Sequence, residues 1–212
     1  MASSDRMPQQ VTVGLTGASG FVYGLRLIEC LLRADIHVGV IYSQAAQIVA
    51  KQEMDLTLPT RPKDAAAALA THFGVDGTKL AVYAREDWYA PMASGSNPAD
   101  AMVICPCSMG TLAAVANGLA DNLIERAADV ALKERRQLIL VPRETPLSLL
   151  HLENMTRLAR AGALILPANP GFWHRPQSVD ALVDYVVARI LDHLRVPHRL
   201  LERWGDDSSS DA

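Results

Sequence analysis

The sequence predicts an α/β protein built on a doubly wound, mainly parallel sheet, and three observations carry that prediction. Short apolar runs alternate with amphipathic runs of helical period along the chain. Several strand runs are near-continuously apolar, such as Val103-Ile104-Cys105 and Leu138-Ile139-Leu140-Val141, which suits strands covered on both faces. The junctions that follow such runs are small and polar: Thr16-Gly17-Ala18-Ser19-Gly20, and Pro106 through Thr111. In a parallel sheet these loops gather at the carboxyl edge of the strands, where ligands bind.

Taken in order, residues 1–10 are polar and read as a flexible N-terminus, and 11–204 as one domain. Residues 11–15 alternate as a first strand, and 21–33 carry apolar residues at helical spacing. A second strand spans 37–42, after which Ser43 is placed to cap a helix over 44–53. Residues 63–73 form an Ala-rich helix ended by Gly74, and 80–83 a short strand. The loop 85–100 is long for a compact domain, and loops of that length are often functional. The next strand, 101–105, ends at Pro106 and leads to a short helix closing near Gly118. Asp121 is expected to cap a helix over 122–135, before a strand at 137–141. A helix over 149–161, a last strand at 163–166 and a long amphipathic helix over 178–194 complete the domain. The acidic, serine-rich tail from Gly205 reads as disordered.

With 50% hydrophobic and 20% charged residues, the chain is apolar enough for a substantial core. A net charge of −3 argues against a nucleic-acid binder, which needs clustered Lys and Arg. No run has the length of a membrane helix, and nothing before Val11 resembles a signal peptide, so the expected compartment is the cytoplasm. Cys30, Cys105 and Cys107 are odd in number and lack CxxC spacing, which fits reduced thiols. The six histidines form no ligand pattern, and no metal is expected.

Two residue sets carry possible chemistry. Ser19, Ser108 and Thr111 sit in loops suited to one phosphate and a planar ring, though ordinary helix capping explains either loop alone. There is no GxGxxG and no GxxxxGK[ST], so neither a dinucleotide fingerprint nor a Walker loop is present. The second set is cationic. Arg126 and Lys133, seven residues apart, share a helix face, and with Arg143 and Arg189 they offer an anion site; Glu144 is a possible proton partner. The plainer reading pairs Arg126 with Asp129 or Glu125, and Arg189 with Asp192 or Tyr185, as surface contacts.

At these residues the chain resembles the UbiX-type flavin prenyltransferases, long labelled aromatic-acid or 3-polyprenyl-4-hydroxybenzoate decarboxylases. The matching stretches are T-G-A-S-G with Tyr23-Gly24, A-S-G-S, C-P-C-S-x-x-T-L, R-A-A-D-V-x-L-K-E-R-R, V-P-R-E-T-P-L and P-x-x-P-G-F-x-H-x-P-Q-S. The resemblance implies a Rossmann- or flavodoxin-like flavoprotein that transfers a dimethylallyl group from dimethylallyl phosphate to N5 and C6 of reduced FMN. The product, prenylated FMN, serves decarboxylases of the UbiD type.

Carried over by position, Gly17, Ala18, Ser19, Ser43, Ser108, Met109, Gly110, Thr111 and Arg143 are flavin contacts. Ala93, Ser94 and Gly95 line the flavin and prenyl group; Trp88 and Trp204 are aromatics near it. Arg126, Lys133, Glu144 and Arg189 surround the prenyl phosphate, and Ser19 and Glu53 handle protons at the flavin. With no Asp-rich metal motif in the sequence, Arg and Lys are the groups that neutralise the leaving phosphate. One position departs: Trp173 stands where the family has a phosphate-binding Tyr, and indole N–H donates but cannot accept. The resemblance also implies a homododecamer built from trimers, with sites at subunit contacts. The alternatives are a flavin-dependent cysteine decarboxylase, for which the Ala116-to-Leu123 stretch speaks but the required His after the first loop is missing, and an FMN carrier.

Overall fold

The computed structural model describes residues 6–202; Trp204 and the tail from Gly205 lie outside them. A six-stranded, wholly parallel sheet has the order β3-β2-β1-β4-β5-β6, so the chain reverses direction across the sheet between β1 and β4. The strands are β1 (Gln10–Leu15), β2 (His37–Tyr42), β3 (Leu80–Tyr83), β4 (Ala101–Cys107), β5 (Gln137–Pro142) and β6 (Leu164–Ile165). Gln10, placed by sequence in the polar N-terminal stretch, is the first residue of β1. The Asp100 carboxylate accepts from the N–H groups of Gln9 and Gln10 there (2.8 and 3.1 Å).

Strand alternation sorts the core into two layers. Val11, Val13 and Leu15 of β1 and Ala101, Val103 and Cys105 of β4 point to one face. There they meet α1 (Phe21–Arg33), α2 (Gln44–Met54), α3 (Pro62–Phe73) and α7 (Val179–Leu194). Met102, Ile104 and Cys107 point to the other face, packed by α4 (Met109–Ala116), α5 (Leu123–Lys133) and α6 (Leu149–Arg160). Burial on both faces is why these strands carry so little polar sequence.

Three elements differ from expectation for local reasons. β4 runs through Pro106 to Cys107 instead of stopping before it, and its register to β5 shifts between Ile104 and Cys107. Proline lacks the N–H that a regular ladder uses, so the strand continues across an irregularity. The cap of α5 is Asn122, not Asp121: its Oδ1 accepts from the N–H groups of Ile124 and Glu125. β6 is only two residues long. The long 85–100 loop contains one 3-10 turn, Pro91–Ala93.

Candidate functional site

The carboxyl edge beside the β1–β4 reversal is built from four loops. Thr16 ties the first to the third. Its buried Oγ1 donates to the Pro106 carbonyl (2.8 Å) and accepts from Ser108 N–H (2.7 Å), and its own N–H also meets Pro106 (3.2 Å). Ser43 joins from β2 through its N–H to the Leu15 carbonyl (3.0 Å), while its hydroxyl caps α2 at Ala46 N. From β5, Arg143 reaches across to donate Nε–H to the Ser19 carbonyl (3.3 Å). The fixed bonds leave Gly17, Ser19 and Gly110 exposed on the same edge, with Ser43, Ser108 and Thr111 part-buried.

Glycine has two different uses here. A Cβ on Gly24 would lie 2.3 Å from the Cys105 carbonyl oxygen and 2.4 Å from Leu15, so only glycine lets α1 seat against β4. A Cβ on Gly110 would meet nothing within 4 Å, so the start of α4 opens to solvent. The two helix starts are not equivalent. At α1, Glu53 accepts from Gly20 N–H (3.0 Å) and Phe21 N–H (3.0 Å). That carboxylate already takes the place an anion would use there. At α4, Ser108 Oγ accepts from Thr111 N–H (3.3 Å) and lies 3.1 Å from the Thr111 hydroxyl. The Glu53 contact spans 33 residues and left no local signal in the sequence; nor did the bridging use of Thr16.

Hydroxyls, one guanidinium and an open helix start suit a single phosphate and the polar edge of a flat ring, so the edge fits FMN. Burial disfavours the thiolate at all three cysteines. Burial pushes the thiols of Cys105 and Cys107 far up, and that of Cys30 up to about 11. Burial likewise raises the Tyr23 phenol, with Cys105 adding to the rise and Arg143 opposing it.

Of the cationic set, Arg143 stands at this edge, and Arg126 and Lys133 lie elsewhere. Arg126 and Lys133 do share a face of α5 and abut the Ala93–Ser94–Gly95 loop: Arg126 Nε donates to the Ala93 carbonyl (2.9 Å). A Cβ on Gly95 would sit 2.6 Å from Lys133 Nζ. Both cations also have carboxylate partners, Arg126 with Asp129 (2.9 Å) and Lys133 with Glu134 (2.5 Å). Lys133 ends α5, and the chain then re-enters the sheet at Gln137, the first residue of β5. It therefore lies on the side where β5 begins, whereas Arg143 follows the end of that strand, about 20 Å from Gln137 at ~3.3 Å per residue.

Glu144 is exposed beside Arg143, and its carboxylate accepts from Thr145 N–H (3.1 Å). Trp88 is half-exposed on the loop after β3. Arg189 belongs to α7, on the other face of the sheet from α5, and pairs with Asp192 (2.7 Å). Trp173 and Arg189 line a common groove of about 800 Å³. One chain thus places the residues assigned to the prenyl phosphate in three separate places.

The flavoprotein family model matches residues 2–191. The flavin prenyltransferase UbiX of Pseudomonas aeruginosa is 55% identical, covering 94% of this chain and 95% of that protein. The chain belongs to the UbiX-type flavin prenyltransferase family. The flavin prenyltransferase UbiX of Alkalihalophilus pseudofirmus is 47% identical over 96% of this chain and all (100%) of its own. A crystal structure of AnUbiX (PadA1) in complex with FMN and dimethylallyl pyrophosphate superposes with a TM-score of 0.83. It is 39% identical, covering 93% of this chain and 98% of that one. A dodecameric FMN-dependent UbiX-like decarboxylase from Escherichia coli O157:H7 gives a TM-score of 0.81 at 38% identity, over 92% and 98% of the two chains. A PPC decarboxylase structure, at 18% identity and a TM-score of 0.53, shares the fold alone.

Proposed function

We propose that this chain is a flavin prenyltransferase, moving a dimethylallyl group from dimethylallyl phosphate to N5 and C6 of reduced FMN. The observation that carries the reading is the four-loop edge of hydroxyls and Arg143, in a chain whose relatives are named flavin prenyltransferases. Reduced FMN supplies the electron-rich ring that accepts the prenyl group. Gly17, Ala18, Ser19, Ser43, Ser108, Met109, Gly110, Thr111 and Arg143 hold it, and in this reading residues 11–204 are one flavin-binding domain.

The chain's own part in the chemistry is electrostatic. Cleavage of the allylic C–O bond leaves a phosphate dianion, and Arg126, Lys133 and Arg189 neutralise it while Glu144 supplies its proton. Ala93, Ser94, Gly95 and Trp88 line the prenyl path, and the aromatic face of Trp88 shelters developing positive charge. Ser19 moves protons at the flavin; Glu53, which caps α1, lies beside the same loop and shares that task.

The dispersal of the cations supports a site shared between copies. Lys133 and Arg189 belong to helices packed on opposite faces of one sheet, which favours a reading in which a neighbour brings one of them to the flavin edge. A homododecamer of trimers is the assembly that goes with this reading, located in the cytoplasm and delivering prenylated FMN to a decarboxylase of the UbiD type. This reading calls on neither nucleic acid nor membrane as a partner.

The test is anaerobic incubation of the protein with reduced FMN and dimethylallyl phosphate or diphosphate, followed by mass analysis of the extracted flavin. A gain of one prenyl unit is expected. Unchanged flavin with both donors overturns the assignment. Trp173→Tyr in the same assay reports whether the indole limits donor use, read as a change in KM.

A further inference from the structure

Arg189 is the outermost member of a chain of contacts that the reaction as described does not use. Its Nη1–H donates to Asp192 Oδ2 (2.7 Å), and Asp192 Oδ1 lies 3.1 Å from His198 Nε2. The Leu200 N–H donates to His198 Nδ1 (3.4 Å). That bond engages the Nδ1 lone pair, so the proton sits on Nε2 and the imidazole is the donor to Asp192. Side-chain exposure falls along the series, from 48% at Arg189 through 33% at Asp192 to 13% at His198. A surface cation is thus held by a carboxylate, the carboxylate by a nearly buried ring, and the ring by the backbone. Ligand-binding groups are commonly oriented by such an outer shell.

The fold goes out of its way to bring His198 there. α7 ends at Leu194 with Arg195 in the left-handed region (φ 58°), and Val196 turns back under the helix, its N–H donating to the Leu191 carbonyl (2.9 Å). Pro197 and His198 then fold over the last turn and line the same groove as Trp173, Tyr185 and Arg189.

We propose that His198 is a positioning residue for the prenyl donor's phosphate: through Asp192 it holds one edge of the Arg189 guanidinium and leaves the rest aimed into the groove. This rests on the prenyltransferase reading, in which Arg189 meets that phosphate. Two effects act in the same direction. An arginine already held by one acceptor loses less side-chain freedom when the phosphate arrives. His198 also keeps one carboxylate oxygen engaged away from Arg189; without it, Asp192 closes on the guanidinium with both oxygens and competes with the incoming anion.

The experiment uses the FMN-loaded full chain, titrated calorimetrically with inorganic phosphate, alongside donor kinetics. His198→Phe keeps a ring in place but removes the donor, and is expected to weaken phosphate binding and raise the donor KM about three- to tenfold, with kcat held. His198→Gln, whose amide N–H can reach Asp192, is expected to restore both. A purely structural histidine lowers Tm in His198→Phe without moving the phosphate affinity, and that result overturns the proposal, as does a loss that glutamine fails to restore. Arg189→Ala separates the two ideas. If it binds phosphate like the wild type, the functional assignment of Arg189 fails; if it alone loses phosphate while His198→Phe does not, only the positioning role fails.

Discussion

Thr16 uses its hydroxyl twice, donating to the Pro106 carbonyl and accepting from Ser108 N–H, and it does so while 1% exposed. The loops after β1 and β4 are therefore registered to each other by a side chain that faces away from solvent. Replacing it with valine keeps the shape and removes both bonds, leaving the Ser108 N–H without its acceptor. Thr16→Val is expected to cost about 1–3 kcal/mol in urea denaturation and to weaken FMN binding, because the hydroxyl edge loses its registration. Thr16→Ser keeps the oxygen and is expected to stay close to the wild type on both counts. Equal FMN affinity in the valine variant, measured by fluorescence titration, would show that the loops are held by the rest of the sheet. Cys105 and Cys107, by contrast, are wholly buried, and burial disfavours their thiolates.

Between elements, the firmest polar tie joins α1 to α7. Arg26 donates Nε–H to Asp184 (2.7 Å) and Nη1–H to Glu29 (2.8 Å), and Arg33 holds the other Glu29 oxygen. Burial acts to raise the Glu29 carboxyl, but the hydrogen bonds from Arg26 and Arg33 outweigh it and hold it below its usual value. A depressed carboxyl contributes stability above its unfolded pKa of about 4.3, and that stability disappears as pH falls through the folded value. Arg26→Ala is therefore expected to lose about 1–2 kcal/mol at pH 7, discounted for partial exposure, and visibly less than that at pH 3.5. An equal loss at both pH values in parallel urea titrations would mean that Asp184 and packing carry the tie.

Elements of this kind were legible because helical period and caps are local: α1, β2 and β3 have the boundaries expected from sequence. What was not legible depended on a partner distant in the chain. β4 continues past Pro106 because β5 and Thr16 hold it, and α5 starts one residue late because Asn122, not its neighbour Asp121, turns its side chain to the free N–H groups.

At the scale of the molecule, the reversal of strand order between β1 and β4 puts the small, polar loops after β1, β4 and β5 on one edge, and that gathering could be anticipated from the loops alone. The cationic part could not. A list of motifs gives no sheet faces, and only the fold shows that Lys133 ends α5 on one face while Arg189 lies on α7 across the sheet. If each site takes Lys133 from one copy and Arg189 from another, two inactive variants can complement each other. Lys133→Ala chains still carry Arg189, and Arg189→Ala chains still carry Lys133. Refolding the two in equal amounts is expected to restore roughly a quarter of the wild-type prenyl transfer per site, since random mixing pairs the two intact residues about one time in four. Mixing folded oligomers without subunit exchange restores nothing and serves as the control. Were both residues drawn from the same chain, every site in the mixture would lack one of them, and activity would stay at the level of the separate variants. Measuring prenylated flavin from the co-refolded sample against that baseline decides between a shared site and a self-contained one.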